Sequence, residues 1–274
     1  MTRIAHLQNR SLFRLEGADT DDFLQNLITC DVTGLTQGAA TFGALLTPQG
    51  KILFDFLLLK GKAGFLIDTD SVNRDAFAKR LTFYKLRADV SIDFADDLKV
   101  FAAWDGKDLP GFSDPRLGDL GNRIYADTLE TNVTEDDWNS HRIQVGVPQS
   151  GTDFDLGGSF PHEVLMDQFS GAGVDFQKGC YVGQEVVSRM HHRGTARSRW
   201  VQVDGVSQLP PKGTPVMAGE RNIGTMGGNS GNMGLATIRL DRAKAALDSD
   251  IPIEADGVSL TVRLPGFATF DWPE

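Results

Sequence analysis

The chain has 274 residues, 41% hydrophobic and 23% charged, an ordinary globular composition with ample apolar material for a core. Its 37 acidic and 27 basic residues give a formal net charge of −10, which argues against nucleic acid as a partner, because neutralising phosphates needs a basic surface. Two cysteines, Cys30 and Cys180, are too few for a disulfide framework, so a reducing cytoplasm is the expected location.

In chain order, Met1 to Arg14 carries charges and no long apolar run, and is not expected to be a signal peptide. Asp19-Thr20-Asp21-Asp22 ahead of Phe23, Leu24, Leu27 and Ile28 predicts an acid-started amphipathic helix. Thr47-Pro48-Gln49-Gly50 is a turn signal. Ile52 to Leu59 then reads as a buried strand, interrupted by Asp55 and far too short to cross a bilayer, so no membrane partner is expected. Gly64 to Asp68 is its hairpin partner, and Ser71 is placed to cap a helix carrying Val72, Phe77 and Leu81. Ala88 to Phe94 and Val100 to Trp104 read as further strands, and this order predicts an α+β layer on an antiparallel sheet. Gly106 to Asn122 and Gln149 to Pro161 read as loops, with a short helix from Thr134 to Ile143 between them.

Arg193 to Arg199 is basic and poor in apolar residues, and the main boundary is placed there, giving an α+β region over 1–197 and a second domain over 198–274. Beyond it, Pro210-Pro211 and the glycines at 213, 219, 224, 227, 228 and 231 punctuate short strands, the pattern of a small β-barrel. Arg242 to Leu247 is given at most a turn or two of helix.

The segment Lys178-Gly179-Cys180-Tyr181-Val182-Gly183-Gln184-Glu185 stands out. Glycines allow a tight backbone, and a lysine near a cysteine favours the thiolate. If the segment is extended, residues two apart share a face, so Lys178 and Cys180 converge while Tyr181 packs inward. The competing reading is a cysteine buried as a small hydrophobe with Lys178 on the surface. His191-His192 is read on a strand, where adjacent side chains point to opposite faces, so no metal site is expected. A lone cysteine does not hold a cluster by itself, but one shared with a partner is compatible with Cys180.

The string KGCYVGQE resembles the KGCY-x-GQE signature of the YgfZ-like folate-binding family, which is related to the glycine-cleavage T-protein. Around it, Arg142-Ile143 with Gly146 and Pro148, Phe160-Pro161-His162-Glu163 with Asp167 and Gly171, Arg189, Arg193-Gly194 and Leu46-Thr47-Pro48-Gln49-Gly50-Lys51 are similar to family segments, as are Gly224, Ser230-Gly231, Leu235-Ala236 and Ile238-Arg239 toward the end. The likeness runs over nearly the whole chain and looks most like the branch of iron–sulfur assembly factors.

The resemblance implies a T-protein architecture of α+β subdomains around a central folate pocket with a terminal β-barrel. It implies tetrahydrofolate as the cofactor, maturation or repair of four-iron enzymes as the role, and iron–sulfur apo-proteins and cluster carriers as partners. Cys180 with Lys178 is expected to be the working centre, and Asp55, Gly179, Tyr181, Gly183, Gln184, Glu185 and Arg189 are expected around the folate. Asp55 matches the second aspartate of a T-protein strand motif whose first is replaced by Phe54; the other reading has Asp55 on the solvent face of a half-buried strand. Because the signature replaces what T-proteins carry there, a tetrahydrofolate-dependent one-carbon transferase is the second functional reading, and turnover as an enzyme is left open. Cys30, before Asp31, is either a resolving thiol for Cys180 or an ordinary helix-end cysteine.

Overall fold

The computed structural model describes residues 1–193 and 196–273; Gly194, and the side chain of Arg193, which the resemblance drew on, lie outside the described residues. The elements run β1 (Arg3–His6), β2 (Arg10–Glu16), α1 (Thr20–Gln25), β3 (Ala40–Leu46), β4 (Ile52–Lys60), β5 (Gly64–Asp70), α2 (Arg74–Lys85), β6 (Ser91–Phe94), β7 (Lys99–Trp104), β8 (Phe112–Ser113), β9 (Asn122–Ala126), α3 (Glu135–Val145), α4 (Gln184–Arg193), β10 (Ser198–Gly205), β11 (Pro215–Ala218), β12 (Arg221–Ser230), β13 (Met233–Arg239), α5 (Leu240–Asp248), β14 (Ile253–Ala255) and β15 (Val258–Arg263). The chain divides into two compact units, one of residues 1–138 with 169–186 and one of residues 139–168 with 187–274.

The first unit holds an antiparallel sheet in the order β3-β4-β5-β2-β6 and a second in the order β1-β7-β9-β8. Apart from Asp55 and the terminal Lys60, strand β4 is apolar on both faces. Phe54 and Phe56 stack on Phe77 of α2 at 4.6 and 4.9 Å, and Phe13 meets the same ring edge-on. That face buries Phe77 and Leu81 completely, so α2 is held by packing, with no side-chain cap at Asn73. By the alternation of a strand, Asp55 and Leu57 face the other way.

The second unit contains a closed barrel, β10-β13-β12-β11-β14-β15, cored by Val201, Val203, Val216, Ile223, Met226 and Ile238. The β12–β13 register slips between Met226 and Asn229. A side chain at Gly227 would run into the Trp200 ring, so glycine there lets an indole lie against the bulge. Residues 139–168 add Arg142, fully buried, whose Nη1 donates to Val147 O and Asp153 Oδ2, both at 2.6 Å. This gives the Arg-Ile-x-x-Gly-x-Pro stretch a structural task.

Several expectations need correcting. Strands β1, β2 and β3 are not among the expected elements; in the first two, Arg3, Arg10, Arg14 and Glu16 mask the alternation, and β3 is uncharged and buried on both faces from Thr41 onward, so it shows no alternation. The first helix stops at Gln25 instead of continuing to Ile28, which makes an isolated bridge to Leu45. Val72 does not belong to the buried stripe of α2 and is 85% exposed. The loop from Gly106 to Asn122 contains β8 and a 3₁₀ turn over Gly118–Leu120. The terminal helix α5 is longer than expected, because Leu240, Ala243 and Ala246 form a stripe buried on the barrel. His191 and His192 lie on α4, not on a strand, with ring centroids 5.6 Å apart.

Candidate functional site

The signature is held in place from the first unit's own backbone. Thr29 exchanges bonds with β3: its N–H donates to Ala44 O at 3.0 Å, and its hydroxyl accepts from Ala44 N at 2.9 Å. The same hydroxyl donates to Gly173 O at 2.6 Å, Gly173 N donates to Phe42 O, and Asp175 N donates to Thr29 O. The Asp175 carboxylate then accepts from Gln177 N and Lys178 N at 2.7 and 2.9 Å, turning the chain ahead of the cysteine.

Residues 178–183 form no strand: Lys178 lies in a bend, 179–181 have no regular structure, 182–183 form a turn, and α4 begins at Gln184. The convergence of Lys178 and Cys180 expected from an extended segment therefore does not follow. The Lys178 ammonium donates to Ile28 O and Cys30 O, both at 2.7 Å, and lies 5.6 Å from the Tyr181 ring centroid. Burial lowers the Lys178 pKa, against the pull of Cys30, Asp31 and Asp175. Tyr181 is buried, and its phenol is pushed up to about 12 by that burial. Cys180 is exposed, and its neighbour Gly179 has open space where a side chain would project. The reading of Cys180 as a buried small hydrophobe is thus set aside.

Cys30 is the opposite case. Its thiol is buried and pushed up to about 12, with desolvation outweighing the nearby Lys178 cation and a hydrogen bond with Thr41. In the folded protein iodoacetamide is expected to label one thiol, Cys180, at mildly alkaline pH, and a second only after unfolding. Mass mapping of the adducts checks this; rapid native labelling of Cys30 would contradict it.

Gly183 has φ +81° and faces the Thr47–Gly50 turn: a Cβ there would lie 2.5 Å from Thr47 O. Gly50, at φ +80°, meets Val186 of α4 in the same way, with a Cβ 3.0 Å from Val186 Cβ. The start of α4 is therefore seated on that turn. Gly183→Ala adds backbone strain and a clash with a main-chain oxygen, and is expected to cost about 2–4 kcal/mol in urea unfolding. A loss below about 1 kcal/mol would show that the turn yields freely. Gln184 and Glu185 open α4, and Arg189 is exposed one turn on.

Asp55 is 6% exposed, which removes the solvent-face reading. On its side of the sheet lies a network of charges that no local pattern in the chain announces. Arg10 Nε donates to Asp68 Oδ1 at 2.6 Å, and Tyr125 Oη donates to Asp68 Oδ2 at 3.2 Å. Arg123 Nη1 stands 3.7 Å from Asp68 while its Nε donates to Asp114 Oδ2 at 3.1 Å, and Asp114 also takes a bidentate pair from Arg116. Arg10 keeps a raised pKa because the Asp68 and Asp55 carboxylates outweigh its desolvation. Burial alone would raise Asp114, but Arg116 and Arg123 hold it far below the usual carboxylate range. Arg123 Nη1 is buried without a hydrogen-bond partner. A surface pocket of about 600 Å³ in the same unit, lined by Trp104, Asp105, Lys107 and Asp119 among others, includes none of the predicted site residues. Among the described residues no three His, Cys, Asp or Glu side chains are grouped to hold a metal ion, and no helix is long and apolar enough to cross a membrane.

Residues 197–270 match the family model of the CAF17 C-terminal beta-barrel domain, in agreement with the closed barrel. Across the whole length, the chain is 27% identical to the human mitochondrial iron–sulfur cluster assembly factor IBA57, over 97% of this chain and 84% of that protein. It is 30% identical to the IBA57 homolog of Pyricularia oryzae, over 86% of this chain and 71% of the relative. The chain belongs to the IBA57 family. IBA57 factors are part of the YgfZ- and T-protein-like group, so the resemblance carried by the signature and its surroundings is shown. The fold of this IBA57-family chain is that of the glycine cleavage system aminomethyltransferase T from Bartonella henselae, with a TM-score of 0.71 at 13% identity over 100% of this chain and 88% of the other. One expectation is overturned: the human and fungal relatives are named as mitochondrial, which corrects the cytoplasmic reading. The two free thiols argue only for a reducing compartment, and that condition is not confined to the cytoplasm.

Proposed function

We propose that the chain assists the assembly or repair of iron–sulfur proteins, with the Cys180 thiol as the contact to the cluster or to a cluster-bearing partner. Two things support this reading: the family's assembly factors and an exposed cysteine on a segment clamped at both sides. A single thiolate supplies one ligand, so the remaining ligands come from the partner. Cells lacking the gene are expected to lose activity of several four-iron enzymes and to recover it when the chain is returned. Unchanged four-iron activity in the deletion strain would sink the role.

Tetrahydrofolate is the cofactor the reading includes. The residues fit such a group in kind: Asp55 is a buried acceptor for a pterin's N–H edge, and Arg123 Nη1 is a buried donor without an acceptor. When bound, the folate would supply one-carbon or redox chemistry, while Asp55 would bind and orient the ring, and Arg10 with Asp68 would hold the charge balance around it. Asp55→Ala is expected to weaken reduced-folate binding by about 1–3 kcal/mol in titration calorimetry. Equal affinity in the variant would take Asp55 out of the site, and no binding by the parent chain would take out folate itself.

A further inference from the structure

We infer that the outer face of α2 is a docking surface for a protein partner that presents carboxylates around an apolar contact; that this partner is an iron–sulfur protein or cluster carrier rests on the proposed function. Helix α2 buries Phe77, Ala78 and Leu81. Ala76, Lys79, Arg80 and Phe83, spaced i, i+3, i+4 and i+7, share the opposite face, and all four are exposed. Phe83 is 71% exposed and Leu86, just past the helix, 85%. Leu86 sits at φ +46°, a conformation a leucine rarely adopts, and it holds an apolar side chain in water. Strained backbone clusters at functional sites, and apolar surface rimmed by polar residues marks interaction sites.

Charge selects the occupant. From residue 74 to 87 there are five basic side chains, Arg74, Lys79, Arg80, Lys85 and Arg87, and one acid, Asp75, in a chain of net charge −10. Arg74 is committed to Asp96 and Lys85 to Val90 O. Among the described residues Lys79, Arg80 and Arg87 form neither an ion pair nor a side-chain hydrogen bond, and all three are exposed. A basic rim on an apolar pair is complementary to an acidic protein surface with an apolar centre. The overall negative charge disfavours an extended polyanion such as nucleic acid or an anionic bilayer, and an isologous contact of α2 on α2 would set like charges against each other.

The test uses the full chain in its deletion strain with Phe83 replaced by the photo-crosslinker p-benzoylphenylalanine. Irradiation is expected to give a covalent product with an iron–sulfur protein or cluster carrier, joined at a peptide rich in aspartate and glutamate. The yield is expected to fall at least about tenfold with Lys79→Glu, Arg80→Glu and Arg87→Glu combined, at an unchanged melting temperature. Products only with lipid, nucleic acid or a second copy, a partner peptide without acids, or undiminished yield in the combined variant each overturn the docking surface. If the combined variant does not fold, Phe83→Ser alone must lower restoration of four-iron activity, or the surface is not used. A parent chain that fails to restore that activity refutes the assembly role, whereas a parent and variant that restore it equally refute only the docking face.

Discussion

Arg123→Ala is expected to lower unfolding free energy by about 3–5 kcal/mol, because it strips a buried cation from between two buried carboxylates. Asp68 and Asp114 are each almost wholly inaccessible, as is Arg123, so neither acid gains water in exchange. Urea denaturation of the parent, Arg123→Ala and Asp68→Asn measures the effect. A loss under about 1 kcal/mol would mean that water enters the network without cost. The same network sets an acid limit. Asp114 has its pKa depressed in the folded state, so its stabilisation is fully present above the unfolded value of about 3.9 and is lost as pH falls through the lower folded value. Melting temperature is therefore expected to drop steeply below about pH 4, and Asp114→Asn to flatten that drop.

Cys180→Ser is expected to leave the melting temperature unchanged and to reduce restored four-iron enzyme activity by at least about tenfold. The first half follows from exposure: the thiol packs against little, so a hydroxyl in its place is hydrated as before. The second follows from chemistry, since serine is a poor ligand for iron and does not form mixed disulfides. Full restoration by the serine variant would show that the sulfur is not the working group. Lys178→Met separates the two residues. If Lys178 acts only through the carbonyls of Ile28 and Cys30, that variant lowers stability while the reactivity of Cys180 toward iodoacetamide stays the same.

The parts of the fold that could be read from the chain are those where local pattern and tertiary fate agree. Ile52 to Leu59, apolar except for Asp55, reads as a buried strand and lies in β4, inside the five-stranded sheet; Phe77 and Leu81 mark the inward face of α2. Arg10 shows why the rest stayed hidden. On a strand it reads as a solvent-facing charge, yet it is buried against Asp68, a partner 58 residues away. The signature cysteine was legible as a motif, whereas the destination of Lys178 was not, because its acceptors lie 150 and 148 residues upstream. Helix α4 is missed when the signature and His191-His192 are read as extended chain; the left-handed turn at Gly183 launches a helix there instead.

The interleaving of the two units has a consequence for the order of events on the ribosome. Residues 1–138 complete both sheets of the first unit, but the strap that closes it, 169–186, emerges only after 30 residues of the other unit. At about 5–20 residues per second the nascent sheets wait several seconds for it. During that interval the Ile28 and Cys30 carbonyls lack the lysine that will dock on them, and the Thr29 hydroxyl lacks Gly173 O as its acceptor. The stretch 28–30 is thus expected to be the last part of the first unit to gain protection from hydrogen exchange on a stalled nascent chain.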